Sequence, residues 1–121
     1  MTYSPIVMDH FGNPRNVGIP PAFNRKGTAG DPNAGLYMVI YLLVENGTID
    51  QIGYQTYGCA AAIACGSMLT EMAKGRSTCE ALSLTPKELI DRLAGLPLGK
   101  GRCADLAIAA LADAIKQGAS S

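Results

Sequence analysis

Residues 36–44, LYMVIYLLV, form an unbroken run of nine apolar residues rich in branched and aromatic types. A run of that length and composition is the mark of a β-strand covered on both faces. ENG at positions 45–47 supplies a tight turn, and residues 49–57 run back as the partner strand. A hairpin is therefore the fixed point about which the rest of the chain has to fold. Its return strand ends in Gly58 and Cys59, where sheet gives way to helix.

The flanks carry their own punctuation. Ser4 reads as an N-cap, Pro5 as a first-turn proline, and Gly12, Asn13 and Pro14 stop the short helix between them. Residues 13–21 are expected as loop, and the glycine breakers in 22–35 leave room for one short strand and an ordered loop. Residues 60–74 have helical composition, with Lys74 placed well for the helix dipole and Gly75 as the stop. In residues 84–95, Thr85 caps, Pro86 opens, Glu88 completes a capping box and Gly95 ends a further helix. A last helix is expected over 103–117, where Ile108, Leu111 and Ile115 make an apolar stripe, and the closing GASS is expected to fray. The sum is an α+β fold: an N-terminal helix, then a small antiparallel sheet of about three strands with C-terminal helices packed on one face. At 121 residues the chain makes a single domain, 1–121, able to bury a core without disulfide staples.

Ten basic and ten acidic residues cancel, and no basic block or arginine-rich stripe occurs, so nucleic acid is not an expected partner. The N-terminal stretch has no charged segment followed by a long apolar one, and nothing approaches the length of a membrane span. A soluble, cytoplasmic protein with no membrane partner is the expectation. In such a compartment four cysteines read as reduced thiols, metal ligands or core residues.

The four differ by position. Cys59 stands at a helix start, where unpaired amides and the helix dipole favour thiolate over thiol, which makes a nucleophile or a ligand; its plain alternative is a small residue closing a turn. Cys103 repeats the arrangement after GKGR, with Arg102 adding positive potential. Cys65, with Leu69 at i+4 and Met72 at i+7, belongs to a core stripe, and Cys79 sits in GRSTCEALS, read as a connecting segment. Neither C-x-x-C nor paired knuckles occur, which disfavours a structural zinc finger. The one histidine, His10, reads as a satisfied or surface residue, and no nucleophile, base and orienter can be assembled around it.

YSPIVMDHFGNPRNVG at 3–18 and TYGCAAAIACGSMLTEMAKGRS at 56–77 resemble, in that order and separation, the two signatures of the IscU/NifU N-terminal family of iron-sulfur cluster scaffold proteins. GKGRCADLAIAALADAIK at 99–116 is similar to the family's C-terminal cysteine and its helix. The resemblance implies a non-enzymatic platform, supplied with sulfur by a cysteine desulfurase, that passes a transient iron-sulfur cluster to acceptor proteins. It places the central family cysteine on Cys59 and the last on Cys103. Thiolate ligation of iron is the chemistry those residues would serve, with iron alone or zinc as other occupants.

Departures from the pattern are as informative. The family's first ligand cysteine falls on alanine in either of two registers, TAGD with Ala29 and Asp31 or NAGL with Ala34 and Leu36. Only the first keeps an aspartate, Asp31, as a third cofactor and metal ligand. The histidine common before the last cysteine is Arg102, which stays protonated and cannot ligate. The family's chaperone-binding loop appears as LPLGKG. A four-ligand site then needs Cys65, an external thiol or a second subunit in a homodimer. Two further readings stand beside the scaffold: a regulator or interaction module of the desulfurase that binds no cluster, and a persulfide relay through Cys59.

Overall fold

The computed structural model describes residues 3–119, with side chains as far as residue 117. In chain order these form α1 (Pro5–Gly12), β1 (Arg25–Asp31), a 3-10 turn (Pro32–Ala34), β2 (Leu36–Glu45), β3 (Thr48–Tyr57), α2 (Ala60–Ala73), α3 (Thr78–Leu82), α4 (Pro86–Arg92) and α5 (Gly101–Ala119). The sheet is antiparallel in the order β1-β2-β3. None of the described helices is long and apolar enough to cross a membrane.

The apolar run of β2 is buried on both faces, but by different means. Met38, Ile40, Leu42 and Val44 join the main core beneath the helices. Val39 and Tyr41, which alternate with them, are buried on the opposite face. There Phe23 meets the Tyr41 ring edge-on at 5.0 Å, Lys26 Nζ stands 5.9 Å from its centroid, and the Tyr41 hydroxyl donates to Gln55 at 2.8 Å. Helices are thus needed on one face only, because the strands' own side chains and Phe23, just ahead of β1, close the other.

Two devices hold the sheet in register with the helices. A Cβ at Gly27 in β1 would fall on the backbone of α5 at Ala110 and Ala114, so glycine lets helix and strand approach backbone to backbone. The loop after α1 lies against the outer edge of β3, where Gly18 N–H donates to Tyr54 O at 2.7 Å and Tyr54 N–H to Asn16 O at 3.1 Å. That pairing covers the β3 edge at Tyr54. The Tyr54 ring covers Gly66 of α2, and its hydroxyl donates to Ile63 O at 2.9 Å.

Ser4 caps α1 as its sequence predicts, accepting from Val7 N at 3.0 Å, and its hydroxyl also donates to Leu93 O at 2.5 Å, tying α1 to the end of α4. Such a cap contributes about 1 kcal/mol. Thr85 and Glu88 form the expected capping box on α4.

Two expectations need correction. The stretch read as a connection around Cys79 is the helix α3, opened by a capping box between Ser77 and Glu80. Four helices, not three, therefore follow the hairpin among the described residues. The last helix begins at Gly101 rather than at Cys103, and runs through Ala119. This places Cys103 inside the first turn instead of at its edge. Of the closing GASS, residues 120 and 121 lie outside the described part.

Candidate functional site

The end of β3 and the starts of β2, α2 and α5 meet around a hollow of about 550 Å³. Gly58 turns the chain from β3 to α2 beside Leu36, whose Cδ1 lies 2.6 Å from where a Cβ would stand. The next residue, Cys59, is the N-cap of α2, in extended conformation with φ −99° and ψ −179°. Cys103 faces it from α5, with the two Sγ atoms 4.0 Å apart. Residues 44 positions apart in the sequence thus share one site.

The pair is asymmetric. Cys59 is half-buried, while Cys103 is only 1 % exposed. Burial pushes the Cys59 thiol up, but the amides of Ala62 and Ala61, the hydrogen bond from Cys103 and the charge of Lys100 outweigh it and leave the thiol below its ordinary range. Its sulfur makes no close capping hydrogen bond, but the free N–H groups of the helix tip face it and favour the thiolate. Lys100 Nζ donates to Cys59 Sγ at 3.7 Å.

Cys103 behaves oppositely. Burial, then the Cys59 charge and the hydrogen bond between the sulfurs, push its thiol up to about 11, against the pull of Lys100 and Arg102. The expectation that a helix start would ionise both thiols is therefore corrected: desolvation wins where the side chain turns inward. Of the two sulfurs, Cys103, whose thiol is pushed up, is the better placed to donate and Cys59 to accept across the 4.0 Å contact.

Cys65, also expected in the core, is fully buried in α2, and burial, with the charges of Cys103 and Cys59, raises its thiol strongly. Cys79 is exposed on α3. Of the two registers for the first family ligand, it is Ala34, Gly35 and Leu36 that line the hollow with the thiols. Ala29 lies within β1 opposite Met38. Asp31 is exposed, and its Oδ1 accepts from Asn33 N at 2.9 Å to cap the 3-10 turn. It does not line the hollow. Among the described residues no group of three His, Cys, Asp or Glu side chains converges as a metal site.

Sequence reasoning overlooked Lys100. Its signal was the GKGR stretch, whose positive potential was assigned to Arg102 alone; Arg102 is exposed at the rim, and Lys100 makes the contact.

A second constellation has the outline of a hydrolytic triad. Ser67 Oγ lies 2.7 Å from His10 Nδ1, and Glu71 Oε1 lies 3.6 Å from His10 Nε2. Ser67 is fully buried, and its oxygen already accepts from Arg15 N at 2.9 Å. One proton is shared between Ser67 Oγ and His10 Nδ1, and Nε2 faces Glu71. No substrate reaches a sealed hydroxyl. The group is a clamp that fastens α1 and its following loop to α2, helped by Asn16 Nδ2 donating to Thr70 Oγ1 at 3.0 Å. Burial, with the Arg15 charge, holds His10 below its ordinary range against the opposing carboxylates of Glu71 and Asp9.

The family model for the NifU-like N terminal domain matches residues 2–119. The iron-sulfur cluster assembly scaffold protein IscU 1 of Archaeoglobus fulgidus is 50% identical over 113 residues, covering 93% of this chain and 74% of the relative. The scaffold protein IscU of Aquifex aeolicus is 44% identical over 116 residues, covering 94% and 74%. The crystal structure of a nitrogen-fixing NifU-like protein (N-terminal) from Brucella abortus superposes with a TM-score of 0.74 at 17% identity, covering 98% of this chain and 94% of that one. At that identity the likeness speaks for the fold alone.

Proposed function

Because the chain belongs to the NifU-like N-terminal domain family, we propose that it is an iron-sulfur cluster assembly scaffold that works with half a ligand set. The carrying observation is the pair of thiols 4.0 Å apart, one of them held toward thiolate by a helix tip and a lysine. In this reading Cys59 accepts sulfur or iron first, and Cys103 follows once a cation displaces its proton. Asp31 stays outside the set.

The donors fit iron in kind but not in number. Clusters are held by about four thiolate or comparable ligands. This hollow offers two thiols; in this reading Ala34, one of the two alanines in register with the family's first ligand cysteine, and Arg102 take the places of the other ligands. The cluster is therefore cargo, held only while a second copy or an acceptor protein supplies the remaining ligands. The sulfur supplier is a cysteine desulfurase, the setting is the cytoplasm, and iron rather than zinc is the metal.

A second reading is favoured by the same shortfall: an interaction module that engages the desulfurase without carrying a cluster. Anaerobic addition of iron, sulfide and a desulfurase to the purified chain separates the two. The scaffold reading expects charge-transfer absorbance that Cys59→Ala abolishes entirely. No absorbance and no bound metal, with desulfurase binding that survives replacement of both Cys59 and Cys103, would establish the module instead.

A further inference from the structure

The asymmetry of the two thiols assigns them different roles toward sulfur. Cys59 is half-buried and lines the hollow, so it can meet a sulfur donor. Cys103 borders the same hollow but is only 1 % exposed, too little for a donor to reach its sulfur. The electrophile that the structure brings to Cys103 is whatever forms on Cys59, 4.0 Å away. An accessible attacking thiol backed by a sealed one is the arrangement of a dithiol that resolves its own intermediate.

We propose that Cys103 is the resolving thiol of a built-in reductant: it attacks a persulfide on Cys59 and releases the bound sulfur as sulfide. In the first step the Cys59 thiolate takes the outer, sulfane sulfur from a persulfide donor, R–S–SH. The donor's S–S bond breaks, R–S⁻ leaves, and Cys59–S–SH forms. In the second step Cys103 Sγ attacks Cys59 Sγ, closing 4.0 Å to the about 2.05 Å of a disulfide. The bond from Cys59 Sγ to the sulfane sulfur breaks and HS⁻ departs. The proton leaving Cys103 passes to it, giving H₂S. The two thiols lose two electrons in forming the disulfide, and the sulfane sulfur gains them in becoming sulfide. Lys100, whose Nζ lies 3.7 Å from Cys59 Sγ, is placed to neutralise the departing anion.

Attack on the inner sulfur follows from placement, since the sulfur recorded beside Cys103 is Cys59 Sγ itself and the outer sulfur extends into the hollow. A dithiol reductant must reopen the disulfide before another turnover. Until then both cluster-binding thiols are occupied, so sulfide release and cluster holding exclude each other in one copy. The inference rests on the reading of Cys59 as a sulfur acceptor, and needs no iron.

The test uses the full chain, reduced, freed of reductant without oxygen, and given one equivalent of glutathione persulfide. The expected products are one sulfide per chain and a chain that has lost two hydrogen atoms in mass, with peptide mapping joining Cys59 to Cys103. Cys103→Ser is expected to retain an extra sulfur on Cys59 and to release at least about tenfold less sulfide. Cys65→Ser is expected to behave as the parent chain. A parent chain that keeps sulfur on Cys59 with Cys103 free, or takes up none, would overturn the proposal, as would equal sulfide release from Cys103→Ser. Should that variant fold poorly, the parent chain's mass and peptide map decide alone. Failure of the scaffold reading shows elsewhere, as missing cluster absorbance after iron is added, and can occur with sulfide release intact.

Discussion

The starts of α2 and α5 carry the same device, a cysteine at or just inside the beginning of a helix, yet they hold it in opposite states. At α2 the cysteine is the cap, half-open to the hollow, and the helix tip with Lys100 draws it toward thiolate. At α5 the helix begins two residues earlier, the side chain turns into the core, and burial pushes the thiol up to about 11 despite Lys100 and Arg102 nearby. Both cysteines stand at helix starts, so that position alone does not decide the outcome. One or two residues of helix register, which set depth, do.

The largest expected effect comes from moving one helix. Gly27→Ala places a methyl group on the backbone of α5 at Ala110 and Ala114, and is expected to destabilise the fold by about 3 kcal/mol in denaturant titration. An unchanged midpoint would mean that α5 is not seated on β1 in solution. Alkylation by iodoacetamide at pH 8 probes the thiols directly. Cys59 is expected to react about a hundredfold faster than Cys103, with its rate rising below the ordinary thiol range, and equal rates would collapse the contrast.

A smaller effect sharpens the cause. Lys100→Gln removes the cation beside Cys59 and should slow its alkylation about threefold near pH 7, an effect that added salt mimics in the parent chain. The smallest is a control remote from the thiols. His10 is held below its ordinary 6.5, so its neutral form contributes stability that is complete above that pH and is lost as pH falls through the lowered folded value. Acid is thus expected to lower the denaturation midpoint of the parent chain, and less so in His10→Asn. If acidification also changed the reactivity ratio of the two cysteines, the clamp and the thiol pair would be coupled.

Most of the frame was legible because it is written in local signals. The hairpin follows from a branched apolar run and ENG, and α1 and α4 from caps within a few residues of their starts. α3 has only five residues, below what periodicity can register, yet its Ser77-x-x-Glu80 box was a readable mark. The site was legible in part. Helix-start position brought Cys59 and Cys103 to notice, but nothing local gives a side chain's depth, and depth separates their chemistry. The position of Asp31, turned to its own 3-10 turn, and the reach of Lys100 to Cys59 also depend on how distant segments meet.

Gly27 has a mechanical meaning for the two sulfurs. Because α5 bears on bare main chain rather than on side chains that can change rotamer, its position is a hard stop with little tolerance. The gap across the hollow is then gauged by covalent geometry along one strand and one helix. Swaps among interior apolar residues should leave that gap standing, so the core is free to vary while the spacing the chemistry depends on is kept.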